Sequence, residues 1–527
     1  MATAMEMALL LLAVLVAVAL VARRLRMAPS ILLVIAGIGL AVIPGLPSVE
    51  LAPDLVLLGI LPPLIYSAGV AMSWREFRFN LRPIVLLAFG LVIFTTIAVA
   101  AATHVMLGLP WSVGFVLGAI VAPPDVVAPL AIARRVGLPR RILVVLEGEG
   151  LVNDATALVL YRFAVIAVAT GAFSLSHASG TLAILVFAEI AWGLTVGWAS
   201  LRLRRWAHDP RVEITMSLMT PYLAYGVPEL LGGSGVLACV VTGLYISWNG
   251  PLLISSATRL QGIFFWDLVI YLIEGMVFLL TGLQARALIE RAPATSLREA
   301  LVATALTTAI VVVARYLWMF PATYLPRWLS KSIARRDPAP SWQAPFVLAF
   351  TGVRGVVSLA AALAIPFTTA SGAPFPYRDQ LLFVTFGVIV TTLIVLGLSL
   401  PAVVRWLGLA RNRNAEDEKE HEAELAARAG AIEVARKRLD ELVGERSPPA
   451  EVLDALNARH ASRAAESTQL PLAPELRSEL IAVERRHLFQ LLREGKITDE
   501  SRRRLERELD LEETSLAHHT RRDEPPL

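Results

Sequence analysis

Thirteen apolar runs, each about as long as a membrane is thick, dominate the sequence from Met1 to about Leu407. Roughly 17 to 25 helical residues cross a hydrocarbon core about 30 Å thick. Because lipid offers the backbone no hydrogen bonds, such runs must be helical. A content of 56% hydrophobic and 17% charged residues excludes a set of ordinary soluble domains. The runs cover residues 3–22, 28–45, 51–72, 84–108, 111–133, 142–169, 180–201, 212–231, 234–248, 262–284, 299–324, 343–367 and 380–404.

The basic residues of the loops alternate with the runs. No basic residue precedes the first run, and Arg23 and Arg24 follow it, so it is predicted to be a spanning helix rather than a cleaved signal peptide. If the spans alternate from there, most loop arginines fall on one side. The other side holds only Arg286, Arg291, Arg298 and Arg378. By the positive-inside rule we expect thirteen spans in the cell inner (plasma) membrane, with the N-terminus outside and the C-terminus cytoplasmic.

The composition changes after Arg413, where the chain becomes charged and poor in aromatic residues. Helical periodicity in this part, for example at Leu505, Leu509 and Leu516, predicts a small cytoplasmic helical tail. We therefore expect two domains, a transmembrane domain over 1–410 and a dimerising or regulatory tail over 411–527. The net charge of +4 comes mostly from the arginine loops, and we infer no nucleic-acid partner from it. The single Cys239 excludes an intrachain disulfide.

Two of the predicted spans look interrupted. The fifth contains AIVAPPDVVAPLA, in which Pro123 and Pro124 remove backbone donors and disturb the preceding turn. The twelfth contains FTGVRGVVS, in which glycines flank Arg354. Both interruptions fall near the middle of the membrane, where we expect Asp125 to neutralise helix N-termini and Arg354 helix C-termini. Paired discontinuous helices in corresponding halves of a chain indicate inverted repeats around a midplane site.

The most informative stretch is EGEGLVNDATALVLYR, residues 147–162. Asp154 lies thirteen residues after Arg141, which is about 20 Å along a helix and near the bilayer centre. A buried ionisable group at that depth is functional by default. Gly150 lies on the same helix face one turn earlier, and Asn153 is adjacent. A buried carboxylate can offset its desolvation by taking up a proton or by coordinating a cation, so Asp154 is the predicted ion-binding and proton-binding group.

We make a separate prediction for each of the other charged residues in the spans. Glu149 needs a basic partner, for which Arg315 of the eleventh span is the candidate, and we interpret this pair as structural. Glu147 is expected to be solvated. Arg162 is expected to reach outward or to pair with Glu189. The role of Glu274, a mid-span acid, stays open.

At this point the residues resemble a known family. The motifs GEGLVNDATALVLYRF, AIVAPPDVVAPLA, EITMSLMTPYLAYGVPELLGGSGVLACVVTGLY, GMVFLLTGLQ and TGVRGVVSLA occur over about residues 5–410. They are similar to the monovalent cation:proton antiporter family, on the bacterial sodium/proton exchanger branch related to animal sodium/hydrogen exchangers. The tail sequence LREGKITDESRRRLERELDLEE resembles the end of the bacterial members.

The resemblance implies a homodimer in the lipid bilayer, with a dimerisation part and a core in which the fifth and twelfth spans cross. It implies that Asp154 binds the cation and the proton, that Asn153 marks an electroneutral exchanger, and that Asp125 and Arg354 are the charges at the crossing. Glu149 and Arg315 would be the stabilising pair. No cofactor is implied beyond the transported ions, which would be H⁺ and Na⁺, with K⁺ or Li⁺ as alternatives.

Two residues depart from the family pattern. Pro124 stands where a threonine is usual, and Gly150 stands where a serine is usual. In sodium-transporting relatives both hydroxyls contact the ion, whereas Pro124 and Gly150 offer no side-chain oxygen. Backbone carbonyls at the break that Pro123 and Pro124 create, and water in the space beside Gly150, could replace them. We expect a weaker affinity for sodium or a shift toward potassium.

Three classes of function remain to be compared. The first is a secondary antiporter, and the second is a channel or a non-transporting sensor whose tail reports the state of the membrane. The third is an intramembrane enzyme with Asp125 and Asp154 as an aspartyl pair, which we do not expect, because no His/Cys cluster or Ser/His nucleophile arrangement is visible. A channel would favour a continuous polar stripe, whereas the charges here concentrate around one midplane position.

Overall fold

The computed structural model describes most of the first 409 residues. It covers residues 2–409 except 26, 45–50, 172–174, 208, 291–296 and 370. Beyond these it describes residues 430, 433, 434, 437, 439, 481, 484, 509 and 511. The chain separates into two compact units, Met1–Ala410 and Arg411–Leu527. Of the residues whose spacing predicts a helical tail, Leu505 and Leu516 lie outside the described residues, and the cytoplasmic location of the tail stays a prediction.

The described part of the first unit is helical, as predicted, with one isolated β-bridge between Thr368 and Pro374. Two helices begin with a short π-helical stretch, Leu55–Ile60 before α3 and Leu86–Leu91 before α6. The helices are α1 Ala2–Leu25, α2 Pro29–Ala41, α3 Leu61–Ala71, α4 Trp74–Phe79, α5 Leu81–Val85, α6 Val92–Leu107, α7 Trp111–Val121, α8 Val127–Arg135, α9 Arg140–Thr170, α10 Leu175–Ala207, α11 Pro210–Leu230, α12 Val236–Leu253, α13 Ser256–Glu290, α14 Leu297–Leu329, α15 Lys331–Arg336, α16 Gln343–Phe350, α17 Val356–Leu363 and α18 Arg378–Leu407.

Several of these helices can cross a membrane by length and composition. Among the described residues, seven qualify individually, and four apolar helical segments are shorter. The protein is therefore a multi-pass membrane protein. The count of thirteen spans and the inverted repeats stay predictions. The long helices are Met5–Leu25, Leu81–Leu107, Arg140–Thr170, Ile184–Ala207, Ala257–Glu290, Arg298–Leu329 and Arg378–Leu407. The shorter segments are Pro29–Ala41, Leu55–Ala71, Trp111–Val121 and Val236–Gly250.

The helices of the first unit pack in two groups. In one, α2 lies along α13, while α3, α10 and α11 surround α12. In the other, α6, α7 and α9 pack together and α14 packs against α6, α16 and α18. Small residues allow the closest approach, since a Cβ on Gly37 of α2 would collide with the backbone of Leu279 and Gly282 of α13. The helix that carries Asp154, α9, belongs to the second group.

Both predicted interruptions occur. Helix α7 ends at Val121 and α8 begins at Val127, while α16 ends at Phe350 and α17 begins at Val356. The segments between them are 122–126 and 351–355. Each is too short to leave the membrane and return, so each pair of helices continues as one broken element.

Candidate functional site

The two interrupted segments lie against each other. The backbone amide of Asp125 donates a hydrogen bond to the carbonyl of Val353 at 2.8 Å. Such a bond satisfies a backbone donor and an acceptor that no helix can satisfy at the break. The midpoints of the two broken helices therefore form one structural centre.

Arg354 holds the carbonyl end of α7. Its side chain is 1% exposed, and its Nε donates to the carbonyl of Val121 at 2.8 Å. Its Nη2 donates to the carbonyl of Ala122 at 3.3 Å and its Nη1 to that of Gly352. The guanidinium thus supplies positive charge at the negative end of a half-helix.

Asp125 lies at helix N-termini, whereas Arg354 lies at a helix C-terminus. Its Oδ1 accepts a hydrogen bond of 3.0 Å from the amide of Val127, at the start of α8. Its carboxylate also lies against Gly355, because a Cβ on that glycine would collide with it. Gly355 directly precedes α17, so the carboxylate is next to the N-termini of two half-helices, where negative charge is stabilised.

Asn153 and Asp154 project from α9 toward this centre. Asn153 is fully buried, and its Nδ2 donates to the carbonyl of Pro124 at 2.8 Å. Asp154 is partly exposed and lies in the wall of a cavity of about 320 Å³. The cavity wall also contains Asp125, Glu274 and Ser358. Sequence reasoning did not single out Ser358, although it follows Gly355 by one helical turn.

The cavity continues from these carboxylates toward an exposed ion pair. Arg134 and Glu147 line it and are 2.5 Å apart. The Arg134 side chain is 60% exposed. Glu147 was expected to be solvated; it is instead about three-quarters covered and paired with Arg134. Within α9 the cavity touches 147, 150, 151 and 154 and none of the later residues, so Asp154 is reached from the side on which α9 begins.

Glu274 of α13 now has a location, though its role stays open. It lies in the same cavity wall as Asp125 and Asp154 and is partly exposed. The three acids do not converge on one point, since no group of three or more His, Cys, Asp or Glu among the described residues is placed to hold a metal ion.

The position that a side chain at residue 150 would take is filled. A Cβ on Gly150 would collide with both methyl groups of Val126. Gly150 itself borders the cavity, so the expectation that water could replace a hydroxyl ligand there stays a prediction.

Glu149 and Arg315 form a bidentate ion pair. Arg315 Nη1 lies 2.5 Å from Glu149 Oε1, and Nη2 lies 2.9 Å from Oε2. Both side chains are at most 1% exposed. Arg315 Nε also donates to the carbonyl of Leu348 in α16 at 3.0 Å. The pair fixes α9, α14 and α16 relative to each other, directly beside the centre.

Arg162 has a partner other than the expected one. Its Nη2 lies 2.5 Å from Glu229 Oε1, and its Nη1 donates to the carbonyl of Gly233 at 2.6 Å. Glu189 instead accepts hydrogen bonds from the amides of Ser234 at 2.8 Å and Leu237 at 3.2 Å, at the start of α12. The expectation of an Arg162 pair with Glu189 is wrong because Glu189 caps a helix N-terminus.

A match to a family model identifies the family of this chain. The model described as "Sodium/hydrogen exchanger, transmembrane" matches residues 10–406. The chain belongs to the sodium/hydrogen exchanger family. The resemblance inferred from the motifs is confirmed, and with it the assignment to the monovalent cation:proton antiporters, which are transporters.

Named relatives of this exchanger cover most of its length. A protein named as an uncharacterized Na⁺/H⁺ exchanger of Mycobacterium tuberculosis (strain H37Rv) is 35% identical over 94% of this chain and 92% of its own. A sodium, potassium, lithium and rubidium/H⁺ antiporter of Bacillus pumilus is 33% identical over 69% of this chain and 56% of its own. The Na⁺/H⁺ antiporter ApNhaP of Aphanothece halophytica is 32% identical over 77% and 74%.

The fold of the exchanger is also that of a solved antiporter. The sodium proton antiporter MjNhaP1 from Methanocaldococcus jannaschii matches with a TM-score of 0.57 and 18% identity in the structure at pH 8, over 76% of this chain and 96% of that one. An electron-microscopy structure of the same protein matches with a TM-score of 0.60 and 20% identity, over 77% and 98%. At this level of identity the likeness concerns the fold alone.

Proposed function

We propose that this protein exchanges one monovalent cation for one proton across the cell inner membrane by alternating access to Asp154. The observation that carries the proposal is the position of this carboxylate, beside the meeting point of two broken helices and in the wall of a cavity that ends at the exposed Arg134. We further propose a homodimer with its N-terminus outside and its C-terminal tail in the cytoplasm.

The chemistry follows from the position of one carboxylate in a region of low dielectric. Keeping Asp154 charged and unpaired there is costly, and binding either a proton or a cation offsets the cost. The two ligands compete for the same oxygens, so each one displaces the other. Since the loaded site has the same charge with either ligand, a 1:1 exchange moves no net charge. It is then insensitive to a membrane potential, which supplies about 2.3 kcal/mol per charge per 100 mV.

The supporting charges keep the centre in place while the ligand changes. Arg354 satisfies the carbonyl end of α7, and Asp125 satisfies the amide end of α8. Asn153 ties α9 to Pro124. Glu149 and Arg315 are paired with each other, so neither competes for the transported ion. These groups would move with Asp154 as one body when access changes sides.

The cavity supports a state open on the side where α9 begins. By the predicted orientation this is the cytoplasmic side. Beyond Asp154, the α9 residues Leu158 and Tyr161 are buried and lie outside the cavity. Opening to the other side would require α9 and its partners to move relative to α11–α13.

We propose Na⁺ as the main cation, with lower affinity than an exchanger with two more hydroxyl ligands would have, and K⁺ or Li⁺ as further substrates. Pro124 and Gly150 contribute no side-chain oxygen. The Bacillus pumilus relative is named for sodium, potassium, lithium and rubidium, which supports testing several ions. Glu274 adds negative charge to the cavity and would raise the local cation concentration.

Dye-reported proton movement in everted vesicles from cells without their own exchangers tests this function. Adding Na⁺, Li⁺ or K⁺ to vesicles with an acidic interior should alkalinise it, and dissipating the membrane potential should leave the rate unchanged. Asp154→Asn should remove the response while the protein is still inserted. Asp154→Asn exchange at the wild-type rate would contradict the site. Cation flux without proton movement would favour the channel alternative, and no flux with any ion would favour the sensor.

A further inference from the structure

The cavity offers a bound cation few neutral oxygen ligands. A small hard cation prefers several oxygen ligands. Of the carbonyls at the break, those of Val121 and Ala122 already accept from Arg354, and that of Pro124 accepts from Asn153. Among the described residues that line the cavity, the side-chain oxygens belong to four acids and one neutral residue, Ser358.

The Ser358 hydroxyl is buried and makes no hydrogen bond within the described part of the chain. The residue is 1% exposed and borders the cavity. Some buried hydroxyls of this protein bond to the carbonyl four residues earlier in their own helix, as in Thr96 with Val92 and Thr103 with Val99. Like Ser358, five others make no hydrogen bond with the described residues, namely those of Thr95, Thr156, Tyr161, Thr307 and Thr385. A buried hydroxyl without a partner costs about 1–3 kcal/mol, and among these six only Ser358 borders the cavity, where a ligand can reach it.

The place of Ser358 in its helix explains why its hydroxyl is unpaired. It is the third residue of α17, which begins at Val356. The carbonyls three and four residues earlier belong to Gly355 and Arg354, which precede the helix. The same break that exposes half-helix ends at the centre therefore also releases this hydroxyl.

Its neighbours place the hydroxyl beside the acids. Gly355, the residue before α17, touches the Asp125 carboxylate, and Ser358 follows it by three residues. Ser358 lies in the same cavity wall as Asp125 and Asp154. A hydroxyl contributes lone pairs to a cation without adding charge. That property suits a site which exchanges one charge for one charge.

We propose that the Ser358 hydroxyl is a ligand of the transported cation and completes the coordination that Pro124 and Gly150 leave short. The proposal rests on the proposed exchange function and names a further residue of the same site. Ser358 would bind the cation and not the proton, so it would set cation affinity and selectivity while leaving proton release at Asp154 intact.

The test compares three substitutions in the full-length protein in proteoliposomes. Ser358→Ala should raise the apparent KM for Na⁺ and Li⁺ on the order of tenfold, with the maximal rate within about a factor of two of wild type. Ser358→Thr should retain a KM near that of wild type. Ser358→Cys replaces a hard oxygen by soft sulfur at similar size, so it should weaken Na⁺ relative to the soft ion Tl⁺.

Thr385→Val is the matched control. Thr385 of α18 is also fully buried with a hydroxyl that lacks a hydrogen-bond partner in the described residues, but it does not border the cavity. Its loss should leave every KM unchanged. Na⁺-dependent thermal stabilisation of the purified protein gives a second readout of binding, which should need higher Na⁺ in Ser358→Ala.

The outcomes separate the two proposals. Wild-type exchange with an unchanged Na⁺ affinity in Ser358→Ala and an unchanged Na⁺/Tl⁺ preference in Ser358→Cys overturns the role of Ser358 and leaves the exchanger standing. A wild-type protein that exchanges no monovalent cation overturns the proposed function itself. If Ser358→Ala fails to fold, the Cys and Thr variants decide the question through selectivity and affinity.

Discussion

The side-chain amide of Asn153 donates a hydrogen bond of 2.8 Å to the carbonyl of Pro124. The donor lies on α9, one residue before Asp154, and the acceptor lies in the break between α7 and α8. This bond joins the helix that carries Asp154, the carboxylate proposed to bind the ion, to the interrupted helix that it faces. It gives Asn153 a structural role, because its amide group satisfies a carbonyl at the break.

Asn153→Ala should therefore destabilise the protein by about 1–3 kcal/mol, since the Pro124 carbonyl loses a buried partner. Exchange should slow through the loosened centre while still depending on Asp154. Thermal unfolding of the purified protein measures the first effect, and vesicle assays measure the second. Thr156→Val is the control, because that hydroxyl on the same helix makes no hydrogen bond with the described residues. Equal stability of the two variants would contradict the role given to Asn153.

Much of the centre could be predicted because lipid restricts what a chain can do. Interrupted helices and charges are tolerated within a membrane where they are buried in protein or line a cavity, so the breaks, the mid-span Asp154 and the Glu149 partner could all be predicted from the sequence. What could not be predicted depends on packing in three dimensions. The contact of the Val126 side chain with Gly150 follows no periodicity, and neither does the arrangement that places Glu274 and Ser358 on the same cavity wall.

The predicted pair of Arg162 with Glu189 was wrong for the same reason, since pairing also depends on packing in three dimensions. The sequence predicts a pair with Glu189, because it does not show that this acid is already used. In the structure, Glu189 caps the start of α12 through the amides of Ser234 and Leu237. Hydrogen bonds to backbone amides have no sequence signature at such separation, so only the fold distinguishes Glu189 from Glu229.

Gly150 and Val126 give a prediction about ion affinity. Gly150→Ser alone should impair folding or exchange, because its Cβ would collide with the Val126 methyl groups. Combining Gly150→Ser with Val126→Ala makes room for the hydroxyl and should lower the apparent KM for Na⁺ several-fold, by about 1 kcal/mol. The control is Val126→Ala alone, which adds space but no oxygen. A double variant with the KM of that control would count against a ligand role at residue 150.

Arg162 and Glu229 give a prediction about movement. The pair links α9 to α11 on the far side of Asp154 from the cavity, at 2.5 Å. If α9 moves relative to α11 during exchange, this contact must break. Glu229→Gln should then favour the state open on that side by a factor of roughly two to five, the value expected for a partly exposed ion pair worth about 0.5–1 kcal/mol.

Labelling of Leu158→Cys with a membrane-impermeant thiol reagent from the outside measures this shift. The single native Cys239 is buried, and it can be replaced by alanine as background. Glu290→Gln is the control, since the Arg286–Glu290 pair at 2.9 Å lies within α13 and cannot report movement between helices. Labelling that increases equally in both variants would show a general charge effect and not release of a contact.

Asp337, in the loop between α15 and α16, gives a prediction about the pH dependence of stability. Its carboxylate meets Arg141 of α9 at 2.6 Å and Arg327 of α14 at 2.7 Å, and it also pairs with Arg82 of α5. Partial burial acts to raise the pKa of Asp337, but the hydrogen bond and the positive charges of these arginines outweigh it and hold the pKa below its ordinary value of 3.8. The acid thus ties together the ends of three helices.

Because the folded-state pKa of Asp337 is depressed, its contribution to stability is present above the unfolded-state value and is lost as the pH falls through the folded-state value. Asp337→Asn should therefore lower the free energy of unfolding by about 1–2 kcal/mol, after allowance for solvent screening of partly exposed arginines, and by the same amount from about pH 5 to about pH 9. The difference should shrink when salt is raised from about 0.1 M to about 1 M. Thermal unfolding of wild type and variant across this range measures it. A difference that changes strongly near neutral pH would show that another group controls the junction, because a carboxylate with a depressed pKa is fully charged there.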